Sequence, residues 1–141
     1  MKIFLMSHGS FSKGLFETLE MIYGKQEDIY YLGLYPEQSV ETLEKDFEDN
    51  LKSIGNDEEI LVLTDLFFGS PFNVVVRFMK KYNIYHLTGI SLPLLMEIVL
   101  MRSNNVCAED ICKRAIELSK NSLIDVRVQL ADVLYEEREG D

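Results

Sequence analysis

The sequence of 141 residues predicts one α/β domain, built on an open and mostly parallel sheet with helices on both faces. Short apolar runs, typical of buried strands, alternate with longer segments in which apolar residues recur at helical spacing. The run at residues 60–63 is apolar without a break, as expected for a strand that is covered on both faces of a parallel sheet. Connections between such strands are right-handed crossovers through the intervening helices.

The elements follow one another in a regular order along the chain. Strands are predicted at residues 2–6, 29–34, 60–63 and 84–87. Helices are predicted at residues 12–23, 39–53, 71–82, 92–101 and 108–120. Gly24 suits a helix C-cap, and Ser70 followed by Pro71 suits an N-cap followed by the first helical position. With the flavodoxin-like strand order 2-1-3-4, the first and third strands are neighbours.

Two segments are unusual in their apolar patterns. The helix at residues 92–101 is apolar on nearly every side, which predicts that a subunit interface covers it. Residues 123–130 alternate apolar and polar side chains, which predicts an antiparallel edge strand with one solvated face. We therefore expect a single domain over residues 1–130 and an acidic C-terminal tail over residues 131–141.

Composition narrows the classes of function and partner. Hydrophobic residues make up 47% and charged residues 27% of the chain, as in a globular domain. The formal net charge of −10 argues against a nucleic-acid partner, which requires Lys and Arg. The N-terminus lacks the apolar core of a signal peptide, so a cytoplasmic location is expected. Cys107 and Cys112 have neither zinc-site nor redox-motif spacing and are expected to be buried free thiols.

Polar residues at the ends of two neighbouring strands suggest a site for phosphoryl chemistry. His8 follows the first strand and Asp65 the third, so the predicted strand order brings them together. A carboxylate bound to one imidazole nitrogen fixes the tautomer and leaves the other nitrogen as a nucleophile. The helix start at Ser70 favours an anion through its free N–H groups and its dipole. No metal is expected, because there is no acidic pair beside His8.

Structural explanations exist for each of these residues taken singly. A histidine at a strand end is more often structural than catalytic, and Asp65 would also suit a turn. His86 lies within a predicted strand and is expected to pack. The apolar side chains Leu66, Phe67 and Phe68 would form a partner-binding rim. Alternatively, the group of Phe67, Phe68 and Phe72 would be part of the core.

Three sequence segments resemble the enzyme IIA component of the mannose-type (mannose, fructose and sorbose) sugar phosphotransferase system. They are the strand ending in SHG, the segment LTDLFFGSPFN and the later GISLPLLME. The similarity runs from residue 1 to about residue 120. It implies a cytoplasmic phosphocarrier that takes a phosphoryl group from the phosphohistidine of HPr and passes it to an enzyme IIB. IIB then phosphorylates a sugar that enters through the membrane components IIC and IID.

The resemblance also assigns roles to individual residues. It implies that His8 is phosphorylated on Nε2, that Asp65 holds Nδ1, and that Ser70 hydrogen-bonds the phosphoryl oxygens. Gly9, Phe67, Phe68 and Gly69 would line the phosphoryl and partner site. It implies no cofactor, and it implies a homodimer that exchanges an antiparallel C-terminal strand.

The sequence departs from the family pattern at two positions beside the site. The family usually has a second glycine where Phe68 stands and an asparagine where Ser91 stands. These departures leave open a regulatory dimer without transfer activity. The chain also lacks the linker and IIB domain of some members, so a separate IIB is expected.

Two other activities are less well supported by the residues. A histidine phosphatase or mutase would have an Arg before the His and further basic clamps, whereas Ser7 precedes His8 and the nearest cations are Lys13 and Arg77. A receiver domain phosphorylated on Asp65 would need acidic residues at the end of the first strand, where Ser7 and His8 stand.

Overall fold

The computed structural model describes residues 1–139, with the backbone alone for residues 134 and 137–139. One sheet contains four parallel strands: β1 (Lys2–His8), β2 (Ile29–Leu34), β3 (Ile60–Thr64) and β4 (Ile84–Thr88). Their order in the sheet is β2-β1-β3-β4, so the flavodoxin-like order predicted from the sequence is confirmed.

In the described part of the chain, five longer helices flank the sheet and two further helical segments follow them. They are α1 (Phe11–Tyr23), α2 (Val40–Ile54), α3 (Ser70–Phe78), α4 (Leu92–Ser103), α5 (Ala108–Ser119), α6 (Val126–Gln129) and α7 (Ala131–Glu139). Among the described residues, no helix is long and apolar enough to cross a membrane.

The alternation of side chains along the central strands divides the core into two layers. Ile3 and Leu5 of β1 pack in a cluster with residues of α1, α4 and α5. Phe4 and Met6 point to the opposite face and pack with residues of α2 and α3. Helices thus cover both faces of the two central strands. Residues 3–6 of β1 and residues 60–63 of β3 are accordingly all apolar and fully buried. The doubly wound α/β fold class is confirmed.

Helix α3 differs from the prediction at both ends. Gly69, with an extended backbone (φ −74°, ψ 167°), is the N-cap, and Ser70 is the first helical residue. The first intrahelical bond runs from Asn73 N to Gly69 O at 2.9 Å. The expected N-cap at Ser70 is therefore wrong by one position. The helix ends at Phe78 rather than at residue 82, because the amide of Met79 bonds to Val76 O in a tighter turn.

Helix α4 is covered mainly by its own chain. Leu95, Ile98, Val99 and Met101 are buried in the core layer that includes α1 and α5. Leu100 is 44% exposed. Coverage within the domain therefore accounts for most of the apolar surface of α4, and the subunit interface expected there stays a prediction.

The C-terminal strand expected over residues 123–130 is not present in the single chain, where Val126–Gln129 forms one helical turn. Asp125 caps that turn by accepting a hydrogen bond from Val128 N at 3.2 Å. A strand requires a neighbouring edge for its backbone groups. Here the N–H of Val128 bonds to the Asp125 side chain, and the N–H groups of Gln129 and Leu130 bond to carbonyl oxygens within the turn. The expected tail begins with helix α7, and residues 140 and 141 lie outside the described part of the chain.

The prediction that both thiols are buried is wrong for Cys107. Cys107 is exposed because it precedes the first turn of α5, and Cys112 is half-buried on that helix. Partial burial raises the pKa of the Cys112 thiol.

Candidate functional site

His8 and Asp65 meet at the carboxyl edge of the sheet. His8 is the last residue of β1, and Asp65 follows the last residue of β3. The two strands are neighbours with Met6 opposite Thr64, so their ends lie side by side. His8 Nδ1 is 2.8 Å from Asp65 Oδ2, and the backbone N–H of His8 donates to the same oxygen at 2.9 Å. The structure therefore brings together the two residues that the sequence analysis paired.

The Asp65 carboxylate is held from two sides. Its Oδ1 accepts a hydrogen bond from Leu66 N at 2.9 Å, while Oδ2 accepts the two bonds from His8. The Asp65 side chain is only 13% exposed, whereas that of His8 is 46% exposed. A fixed, shielded carboxylate thus orients an imidazole that solvent and partners can reach.

This arrangement determines which imidazole nitrogen is available for reaction. A carboxylate accepts hydrogen bonds, so the Nδ1 facing Asp65 is the nitrogen that carries the proton. In the neutral ring, Nε2 then keeps its lone pair. The geometry therefore suits nucleophilic attack by His8 Nε2.

Gly69 lies against the outer edge of the His8 ring. A Cβ added at Gly69 would stand 2.8 Å from His8 Cε1 and 3.7 Å from Nε2. Glycine is thus the only residue at this position that leaves the imidazole undisturbed. Because Gly69 is also the N-cap of α3, the amino end of that helix lies beside the ring.

The start of α3 offers backbone donors to an anion near His8. The amides of Ser70 and Phe72 precede the first intrahelical bond, and Pro71 has no N–H. Free amides and the helix dipole favour negative charge at this end. Within the described residues the half-buried Ser70 hydroxyl has no hydrogen-bond partner, so it is available to a ligand.

Gly9 forms the turn directly after His8. Its φ of 53° lies in the left-handed region that favours glycine, and its N–H donates to Leu34 O at 2.7 Å. Gly33 in β2 supports this turn, because a Cβ there would collide with the carbonyl oxygen of Gly9. The sequence analysis missed Gly33, although a glycine inside a strand pattern often indicates a close backbone approach.

Three phenylalanines form a cluster beside the site. The ring centroids of Phe67 and Phe68 are 3.9 Å apart, and Phe72 lies 5.2 and 5.5 Å from them. Phe67 and Phe68 are 64% and 69% exposed, while Phe72 is half-buried. Phe67 and Phe68 are therefore surface residues, and the alternative assignment to the core is wrong for them.

Phe68 has a backbone conformation that side chains other than glycine rarely adopt. Its φ is 63°, in the left-handed region, where a bulky residue costs about 1 to 3 kcal/mol. This is the position at which the family resemblance leads one to expect glycine. The chain thus keeps the glycine-type turn while placing an aromatic ring on it.

His86 packs beneath the aromatic cluster, as its place in a strand predicted. Its Nε2 lies 2.8 Å from Thr64 Oγ1, and its ring centroid is 4.9 Å from that of Phe72. Burial lowers the pKa of His86 to about 4, so the ring is neutral near pH 7. His86 thus connects β4 to the last residue of β3, immediately before Asp65.

Ser91, the other departure from the family pattern, is the N-cap residue of α4. Its side chain makes no capping hydrogen bond, and its Oγ is buried without a partner. Among the described residues, no group of three or more His, Cys, Asp or Glu side chains could hold a metal ion.

Comparisons with known proteins agree with this fold. The family described as "PTS system fructose IIA component" matches residues 2–115. The chain belongs to this family.

Individual members of the phosphotransferase (PTS) EIIA family support that assignment. The fructose-specific EIIA component of Bacillus subtilis is 26% identical over 121 residues, which cover 85% of this chain and 82% of that protein. A crystal structure of a PTS EIIA component from Streptococcus agalactiae is 32% identical, with a TM-score of 0.81. It covers 90% of this chain and 98% of that one.

The mannose-specific EIIAB component of Escherichia coli K12 is a longer relative. It is 26% identical over 122 residues, which cover 86% of this chain. The chain spans only 38% of the length of that protein.

Proposed function

We propose that this EIIA domain is a phosphocarrier of the sugar phosphotransferase system. His8 would accept a phosphoryl group from phospho-HPr and pass it to an enzyme IIB. The observation that supports this most strongly is the exposed His8 ring, with Nδ1 held 2.8 Å from the shielded Asp65 carboxylate. Family membership supports the same assignment.

The proposed transfer proceeds by attack of His8 Nε2 on the phosphorus of the donor's phosphohistidine. The new N–P bond forms as the donor's N–P bond breaks, and the electron pair of that bond returns to the donor imidazole. Asp65 stabilises the positive charge that develops on the His8 ring, since it accepts the Nδ1 proton in a hydrogen bond. The same steps in reverse deliver the phosphoryl group to IIB.

In this proposal the negative charge of the transferred phosphoryl group lies next to the amino end of α3. In phosphoryl transfer, catalysis comes chiefly from positioning and from stabilising charge on the equatorial oxygens. The free amides at the start of α3 and the unpartnered Ser70 hydroxyl are the donors nearest in sequence to Gly69, which touches His8. We assign them to the phosphoryl oxygens, with Gly9 and Gly69 shaping the space around the ring.

The wider setting follows from this proposal. IIB would deliver the group to a sugar that enters through the membrane components IIC and IID, so this domain would work in the cytoplasm. A homodimer that exchanges its C-terminal segments is part of the same proposal. The exposed apolar side chains of Leu123, Val126 and Val128 support it, since they are 96%, 60% and 71% exposed in the single chain.

The structure offers less support for a histidine phosphatase. The two candidate cations, Lys13 and Arg77, pair with Glu17 at 3.9 Å and with Glu44 at 2.8 Å. Both are therefore already engaged by carboxylates, and within the residues that the structure describes neither contacts His8.

Intact-mass analysis tests the phosphocarrier proposal. After incubation with phosphoenolpyruvate, enzyme I and HPr, we expect one acid-labile, base-stable phosphoryl group that is absent from His8→Ala. The His8→Ala protein should keep its thermal unfolding temperature, because the side chain is exposed. Release of inorganic phosphate without an adduct would indicate a phosphatase. An unmodified protein beside fully phosphorylated HPr would favour the regulatory dimer.

A further inference from the structure

The segments that follow His8 and Asp65 in the sequence carry exposed apolar side chains and no charge, although the protein as a whole is strongly acidic. Between Asp65 and Arg77, residues 66–76 contain no charged side chain, and neither do residues 9–12. Leu66, Phe67, Phe68 and Phe11 are 58%, 64%, 69% and 47% exposed. With a formal net charge of −10 elsewhere on the chain, this patch differs from its surroundings.

Phe68 has the largest exposed fraction of these side chains, and its backbone is strained. Its φ of 63° would suit glycine, yet the ring stays exposed, in a tilted contact with Phe67 and an edge-on contact with Phe72. Phe72 in turn makes a tilted contact with His86 of β4, so the cluster rests on the sheet. A strained residue that contributes no buried core surface is expected where function requires its side chain.

The ring cluster is adjacent to the nucleophile. Phe68 directly precedes Gly69, and Gly69 lies against Cε1 of His8. A protein whose phosphohistidine reaches His8 Nε2 must therefore cover the loop that bears Phe68. A small phosphodonor can reach the same nitrogen without doing so.

We propose that Phe68 is a specificity-determining docking residue for the protein that brings a phosphohistidine to His8, namely HPr. This inference rests on the proposed phosphocarrier function. A protein donor must cover this loop, and an exposed aromatic ring there gives contact area with little loss of side-chain entropy. Phe68 contacts the partner and not the reacting atoms, so it sets the affinity for the donor and not the chemical step.

The test compares two phosphodonors on the same variants. Phe68→Gly removes the ring and the backbone strain together, while Phe68→Ala removes the ring alone. For both we expect the KM for phospho-HPr to rise about tenfold, as for an aromatic hot spot, with kcat unchanged. Phosphorylation of His8 by phosphoramidate, a small chemical donor, should keep its wild-type rate. Met21→Ala, which changes an 85% exposed apolar residue late in α1, is the control and should alter neither reaction.

Three results would overturn the inference. An unchanged KM for phospho-HPr in both variants would show that the ring makes no productive contact. A parallel fall in the rates with both donors would mean that Phe68 acts through the position of His8. Wild-type protein that phosphoramidate modifies on His8 but phospho-HPr does not would contradict the proposed function itself, and this inference with it.

Discussion

Replacement of Gly69 by alanine should separate activity from stability in this domain. The new Cβ would stand 2.8 Å from His8 Cε1, whereas carbon atoms pack best at about 3.5 to 4.0 Å. The imidazole is the flexible partner, so it must swing away by about 1 Å. That movement strains the 2.8 Å contact between Nδ1 and Asp65 and displaces Nε2. A displacement of about 1 Å can lower a rate about 10²-fold.

Stability should change little in the same Gly69→Ala variant, because opposing effects nearly cancel. The backbone of Gly69, at φ −74° and ψ 167°, is one that alanine adopts without strain, and replacing glycine there reduces the entropy of the unfolded chain, which stabilises by about 0.4 to 1 kcal/mol. Alanine is a poorer N-cap than glycine, and the displaced imidazole adds a further cost. We therefore expect a rate loss of about 10²-fold together with a change of less than about 1 kcal/mol in the free energy of unfolding.

Initial rates of His8 phosphorylation by phospho-HPr and by phosphoramidate provide the assay, with thermal unfolding in parallel. Both rates should fall, because the defect lies in the nucleophile and not in the docking of a partner. Gly14→Ala is the matched control, since a Cβ there meets nothing within 4 Å. Rates within about threefold of the wild type for Gly69→Ala would refute the close packing of Gly69 on the imidazole.

Three further predictions concern the residues around the site. Asp65→Ala should slow phosphoryl transfer by about 10² to 10⁴-fold, measured by rapid quench, and an unchanged rate would refute the orienting role. Because burial lowers the pKa of His86 to about 4, the unfolded chain binds a proton below pH 6.5 that the folded chain does not. The free energy of unfolding should therefore fall by about 1 to 2 kcal/mol between pH 6.5 and 4, after allowance for partial exposure of the ring. Urea denaturation at several pH values measures this fall, and it should be smaller in His86→Gln. Ser91→Ala should leave the free energy of unfolding unchanged or raise it by about 1 kcal/mol, because the buried Oγ has no partner. A loss of about 1 kcal/mol in chemical denaturation would instead show a capping bond at Ser91.

The parallel sheet was predictable because its strands are apolar on both faces. The second strand has the bounds expected from the sequence, residues 29–34, and the third differs by a single residue. Their order placed His8 and Asp65 at one edge, and the 2.8 Å contact between Nδ1 and Oδ2 agrees with that placement. Sequence patterns specify such features well where burial on two faces leaves few alternatives.

The C-terminal segment could not be predicted in the same way. The alternation at residues 123–130 indicates one apolar face, but it does not identify the surface that covers this face. In the single chain Asp125 caps a helical turn, and Val126 and Val128 remain exposed. The outcome depends on whether a strand edge is available, which the local sequence does not determine.

The structure of the loop beside the site also depends on features that are not visible as a pattern. The sequence shows that Phe68 stands where the family usually has glycine. It does not show that the backbone of Phe68 adopts a φ of 63°. The contact between Gly69 and the His8 ring depends on how far β1 extends relative to the loop after β3, to within about 1 Å. Spacing along the chain does not fix distances at that precision.

We propose that Asp65 holds His8 Nδ1 and so leaves Nε2 as the phosphorylated atom. The most direct measurement is ¹⁵N–³¹P NMR of protein that is labelled at the histidine ring nitrogens and phosphorylated by phospho-HPr. We expect a single phosphoramidate coupling, to Nε2 of His8, with Nδ1 protonated and bound to Asp65. A coupling to Nδ1, or a phosphoryl group on His86, would contradict it.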